Sequence, residues 1–172
     1  GSIGSMTLWQ LAQQGVDVLG VEQFGRVHTE GAYAGESRLF RVAAKEGELF
    51  TPALLRSREL WRELGAAYGR GVLLEVGALS LAPADHPDLT PTLASIDHFD
   101  LPHEILDADT LRKRYPQFHV EEDDIGVLDL LGGAMRPEMA VAAATDQALA
   151  HGASAIYETE VLDVVDSGNG LS

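Results

Sequence analysis

The 172 residues contain no cysteine. That excludes a disulfide framework, a zinc finger and a thiol nucleophile, and it fits a reducing compartment such as the cytoplasm. No apolar run approaches the roughly 20 residues that span a bilayer, so no membrane partner is expected. Basic residues are scarce: 12 Lys+Arg stand against 27 Asp+Glu, a formal net charge of −15. This field repels nucleic-acid phosphates and anionic headgroups, so any anionic ligand needs a local cluster of arginines. Histidines 28, 86, 98, 103, 119 and 151 show no metal-binding spacing, and neither G-x-S-x-G nor a Walker lysine occurs. The consecutive acids from Glu121 to Asp124 cannot all face one ion, so they read as a solvated loop and no metal is expected.

What is present describes one ordinary globular domain or two small ones: 45% hydrophobic and 23% charged residues, without low-complexity stretches. The opening Gly1-Ser2-Ile3-Gly4-Ser5-Met6 is no signal segment. Either Gly1-Ser2 is a cloning scar ahead of Met6, or the chain opens inside a glycine motif. Met6, Leu8, Leu11 and Ala12 then fall at helical spacing between Ser5 and Gln14, and Gly15 closes the helix. Val16 to Glu22, VDVLGVE, reads as a buried strand ending in an acid. Glycine loop, helix, strand and terminal acid form the second half of a dinucleotide-binding βαβ unit.

Each part of that unit has a physical reason. A pyrophosphate sits against a helix N-terminus, where free N–H groups and the helix dipole favour negative charge, and a side chain at Gly1 would block its approach. Gly4 is expected to let helix and strand pack closely. Glu22 would accept hydrogen bonds from both ribose hydroxyls of an adenosine and repel a 2′-phosphate. A nicotinamide-linked dehydrogenase or a non-catalytic dinucleotide-binding regulatory module would use these parts equally well.

The following run, VEQFGRVHTEGAYAGESRLFR, resembles the flavin-dependent amine oxidases related to monomeric sarcosine oxidase and N-methyltryptophan oxidase, within the D-amino-acid-oxidase-like superfamily. The likeness rests on the ribose-binding acid, the His28-Thr29 loop and the stretch Gly35, Glu36, Ser37, Arg38 and Arg41. It continues through PALLRSRELWRELG, GALSLAP and GASAIYETEVLDV, and so covers essentially the whole chain. The family's proteins are longer, so the 172 residues read as an N-terminal half, expected to be inactive alone. The resemblance implies FAD as cofactor, held by Gly1, Ser2, Ile3, Gly4, Glu22, Gln23, Ser37, Arg38 and the backbone of Val161. It implies a carboxylated amine or amino-acid substrate oxidised at its C–N bond, with molecular oxygen as the final acceptor. Arg38 would stabilise negative charge on the flavin, and Arg41 would grip the substrate carboxylate as a fork. Spacing alone leaves the relation of the two arginines open, since three residues apart they share a side if helical and oppose if extended. Two departures mark a remodelled pocket. Tyr33 and Ala34 stand where the sarcosine-oxidase pattern has paired histidines, and Ala44 replaces a tyrosine.

Further along, Thr51 as cap and Pro52 at the first helical position predict a helix whose core stripe is Leu54, Trp61, Leu64 and Tyr68. LLEVGALSL from Leu73 to Leu81 is β-prone, Pro83 to Pro91 reads as a loop, and Asp107 to Tyr115 as a short helix. Gly132-Gly133 leads into a helix opened by Pro137 and closed by Gly152. ASAIYETEVLDVVD then predicts two short strands broken near Glu158-Thr159. The expected fold is α/β: a Rossmann-like FAD-binding domain, its first strand missing, in segments 1–72 and 132–172. Part of a smaller mixed-sheet substrate domain, 73–131, is inserted between them.

Overall fold

A computed structural model of the chain describes residues 1–165. The elements run α1 (Ser2–Gln13), β1 (Leu19–Val21), β2 (Arg38–Phe40), α2 (Thr51–Tyr68), β3 (Leu73–Leu74), β4 (Ala78–Pro83), α3 (Leu89–Phe99), β5 (His103–Leu106), α4 (Ala108–Arg114), β6 (Asp124–Asp129), β7 (Gly133–Met135), α5 (Pro137–Ala150) and β8 (Ser154–Ile156). They group into two compact units, one of residues 1–36, 64–70 and 136 onward, the other of residues 37–63 and 71–135. The expected segment 1–72 is thus divided between them.

In the first unit β1 and β8 pair in parallel, Gly20 opposite Ala155. Helix α1 packs on α5, burying Ser5, Leu8, Trp9 and Ala12. Along α5 the buried residues are mostly alanine: Ala140, Ala143, Ala144 and Ala148. Small side chains there let the two helix backbones approach. The Gly1–Gly4 stretch, expected as a loop, is instead the N-cap and first turn of α1, with the Ser5 N–H already donating to the Gly1 carbonyl at 3.0 Å. Gly20 permits close packing of α1 on β1. A Cβ on Gly20 would lie 3.2 Å from a Leu8 methyl, whereas one on Gly4 would meet nothing within 4 Å. The strand is shorter than expected and is not buried: Leu19 is 54% and Val21 41% exposed. Beyond β8 no second strand forms among the described residues. Glu158 adopts φ 54°, turning the chain so that the Glu158 and Thr159 N–H groups donate to the Phe24 and Glu22 carbonyls. Asp166, the end of that expected strand, lies outside the described residues.

The second unit holds two antiparallel sheets, β2-β7-β3 and β4-β6-β5. The β-prone stretch from Leu73 to Leu81 serves both, because Gly77 at φ 81° breaks it into β3 and β4. Asp107 caps α4, its Oδ1 accepting from the Thr110 N–H at 2.8 Å. Leu111 on α4 is fully buried in a cluster with Leu106, Val120 and Leu128. Gly126 makes room for it, since a Cβ there would sit 2.6 Å from a Leu111 methyl. Gly132 and Gly133 do more than lead into α5: a Cβ on Gly133 would fall 1.9 Å from the Leu74 carbonyl oxygen. Asp129 is 3% exposed. Its Oδ2 accepts from the Val42 and Ala43 N–H groups at 2.6 and 3.0 Å, and its Oδ1 from the Leu131 N–H at 2.9 Å.

Three expectations give way in this region. Thr51 is helical (φ −56°, ψ −45°) and does not cap α2, because a 3-10 turn at Glu48–Phe50 runs straight into it, leaving the buried Thr51 Oγ1 without a hydrogen-bond partner among the described residues. The loop from Pro83 to Pro91 ends early, for α3 starts at Leu89 with Pro91 inside its first turn, where a missing N–H is tolerated. Of the four acids, Asp124 is buried at the start of β6, accepting from the Glu121 N–H, and only its three predecessors face solvent.

Leu111→Ala should destabilise the chain by about 2–5 kcal/mol in denaturant unfolding, as for other large-to-small core changes. Gly133→Ala should also cost several-fold in folded population, because the obstructing atom is a backbone carbonyl that cannot swing aside.

Candidate functional site

The first unit contains a cavity of about 320 Å³. Its walls come from the start of α1 (Gly1, Gly4, Ser5), from β1 through Glu22, from Arg26, from Val141 and Thr145 on α5, and from β8 through Tyr157. Glu22 reaches the wall because it is the first residue past β1, still tied to the sheet by its N–H donating to the Ile156 carbonyl at 2.9 Å. Its Oε1 accepts from the Phe24 N–H at 3.1 Å, and its Oε2 lies 2.6 Å from the Gly1 nitrogen.

No side chain caps the N-terminus of α1, and added Cβ atoms on Gly1 and Gly4 would meet nothing within 4 Å. The first turn is thus open to an approaching anion. Arg26 is anchored by Asp146 at 2.5 Å and donates to the Ala142 carbonyl, so its charge is already matched.

The other expected positions lie apart from this cavity wall. Ile3 is 85% exposed and Val161 57%, and Gln23 is exposed as well. Ser2 lies in the first turn of α1. In the second unit Arg38 is on β2, opposite Met135, its guanidinium donating to the Ser37 carbonyl at 2.7 Å. Arg41 follows that strand and pairs with Glu46 at 3.3 Å. The chain between them starts as a strand, so the helical alternative left open by spacing is not adopted. Ala44 is buried, and so is Tyr33 in the first unit, whose ring lies edge-on to His28.

Gly20, Arg26, His28 and Thr145 were not among the expected site residues. Gly20 is the one with a sequence signal, a glycine inside an apolar strand. Among the described residues no group of three or more His, Asp or Glu is placed to hold a metal ion, and no helix is long and apolar enough to cross a membrane.

Comparison with known proteins gives this geometry a context. The family described as "DAO: FAD dependent oxidoreductase" matches residues 1–172. Monomeric sarcosine oxidase of Streptomyces avermitilis is 36% identical over 158 residues, 92% of this chain and 41% of that protein. N-methyl-L-tryptophan oxidase of Yersinia pestis is 33% identical over 141 residues, 82% of this chain and 38% of that one. Among solved structures, NikD, described as an unusual amino acid oxidase essential for nikkomycin biosynthesis, superposes with a TM-score of 0.85 at 26% identity, over 99% of this chain and 44% of NikD. Glycine oxidase from Geobacillus kaustophilus, at 22% identity and a TM-score of 0.80, shares the fold over 99% of this chain and 48% of its own. The chain thus spans less than half the length of these relatives. With a mixed α/β fold and a family match running from its first residue to its last, the chain belongs to the DAO family of FAD-dependent oxidoreductases.

Proposed function

We propose that the complete protein is an FAD-dependent oxidase acting on the C–N bond of a carboxylated amine, an N-methyl or other secondary amino acid. In this reading the first unit holds the adenosine and pyrophosphate of FAD. One observation carries it: the Glu22 carboxylate and the uncapped N-terminus of α1 share one cavity wall. Family membership favours flavin over nicotinamide as the dinucleotide. The parallel β1–β8 pair beside α1 supports a Rossmann-like FAD-binding domain.

Bound FAD would supply the two-electron acceptor, with molecular oxygen taking the electrons onward. The protein's share is binding and charge. Glu22 accepts hydrogen bonds from the adenosine 2′- and 3′-hydroxyls and by its charge disfavours a 2′-phosphate. Gly1 and Gly4 leave the helix N–H groups open to the pyrophosphate, with Ser2, Ile3 and Gln23 alongside and Val161 against the adenine through its backbone. Arg38, with Ser37, stabilises the negative charge that develops on the flavin. Arg41 offers a planar fork to the substrate carboxylate, and its present partner Glu46 is an exposed ion pair that a second carboxylate can replace. The 172 residues alone, less than half of the relatives' length, are not expected to turn over an amine.

In the complete protein Glu22→Ala should weaken FAD retention by about 1–3 kcal/mol, the scale of lost charge-assisted hydrogen bonds. Equilibrium dialysis measures this, and unchanged flavin occupancy would remove Glu22 from the site. Arg41→Lys keeps the charge but loses the fork, so KM should rise sharply at normal flavin content. Arg38→Lys should instead slow flavin reduction in stopped-flow traces and alter the flavin spectrum. Identical kinetic phenotypes from the two substitutions would show that this division of roles is wrong.

A further inference from the structure

We propose that His28 is the positioning residue for Glu22, its ring locked so that Nε2–H faces the carboxylate and keeps it turned to the two ribose hydroxyls. The inference rests on the reading of Glu22 as the ribose-binding acid.

Three residues fix the imidazole and its backbone. The Phe24 ring lies 5.0 Å from it at 47°, and the Tyr33 ring 5.5 Å away, edge-on at 76°. The His28 backbone N–H donates to the Tyr33 hydroxyl at 2.9 Å. The Glu30 N–H donates to Nδ1 at 3.2 Å. A ring nitrogen that accepts a hydrogen bond carries no proton, so in the neutral imidazole the proton sits on Nε2.

That Nε2 is buried and has no hydrogen-bond partner of ideal geometry among the described residues, yet Glu22 Oε2 lies 3.4 Å from it. A buried donor left unmet is costly, and this carboxylate is the charged acceptor it faces. Together with the Phe24 N–H on Oε1 and the Gly1 nitrogen on Oε2, His28 holds Glu22 from a third direction. His28 itself does not line the cavity, so its effect on a ligand passes through Glu22.

The same contacts account for Tyr33, which stands where the sarcosine-oxidase pattern has a histidine. It is 6% exposed and turned in upon His28. Gly31 permits this, since a Cβ there would meet the Tyr33 ring at 2.6 Å. The residue is therefore spent on holding the ribose-side loop.

The test uses the complete protein, freed of flavin and titrated with FAD, with thermal unfolding of each variant recorded alongside. In His28→Asn the short amide can replace Nδ1 but cannot reach Glu22, and the FAD Kd should rise about tenfold, the scale of one hydrogen bond to a charged group. In His28→Gln the amide nitrogen reaches the Nε2 position, and the Kd should return to within about twofold of the parent. In a Glu22→Ala background His28→Asn should add nothing, because its route to the ligand is gone. An equal loss from His28→Asn in that background, or no rescue by His28→Gln, overturns the role of His28 while leaving Glu22 in place. No loss from Glu22→Ala alone overturns the ribose reading, and this proposal with it.

Discussion

Asp129 is buried, and in place of a lysine or arginine three backbone N–H groups meet its carboxyl, from Val42, Ala43 and Leu131. That choice of partner runs through the molecule and follows from composition: with 27 acids and 12 bases, most carboxylates cannot find a cation. Those at structural junctions take amides instead. Glu138 accepts from both Gly35 and Glu36 at 2.7 and 3.0 Å, holding two successive residues of positive φ. Asp107 takes the Thr110 N–H, Asp124 the Glu121 N–H, and Glu22 the Phe24 N–H. A hydrogen bond to a charged group is roughly twice as strong as one between neutral groups. The many exposed ion pairs, such as Arg56–Glu59, add little beside them. The carboxylate that would bind ribose is thus one member of a set whose other members hold loops in place.

Long amphipathic or small-residue segments were legible in the sequence. Helices α1, α2, α4 and α5 lie close to their expected positions, because periodicity and the stops at Gly15, Pro116 and Gly152 are local signals. What could not be read was anything set by a distant partner. Strands β2, β5, β6 and β7 are short and exist through the neighbours they pair with, as Met135 opposite both Arg38 and Leu73 shows. Helix α3 was masked by Pro91, a residue that breaks a helix interior but fits a first turn.

The site divides along the same line. Glu22 was visible because an acid that ends an apolar strand is a spacing pattern. The roles of Gly20 and His28 were not, since each depends on what approaches it: Leu8 from α1 in one case, Phe24, Tyr33 and Glu30 in the other.

The parallel pair β1–β8 has a consequence for how the chain is made. Leu19 meets Ser154, so everything from residue 22 to residue 153 lies between the two strands along the chain. A contact of such high order pays its loop-closure entropy before it returns any stabilisation, which slows folding. At roughly 5–20 residues per second of synthesis, β1 waits on the order of ten seconds for its partner to be made. During that wait Leu19 and Val21 have no strand partner in β8, and α1 has no α5 to cover Leu8 and Trp9. In the second unit β2 waits in the same way for β7, Phe40 opposite Gly133. The β1–β8 contact is therefore among the last of the described residues' pairings to close.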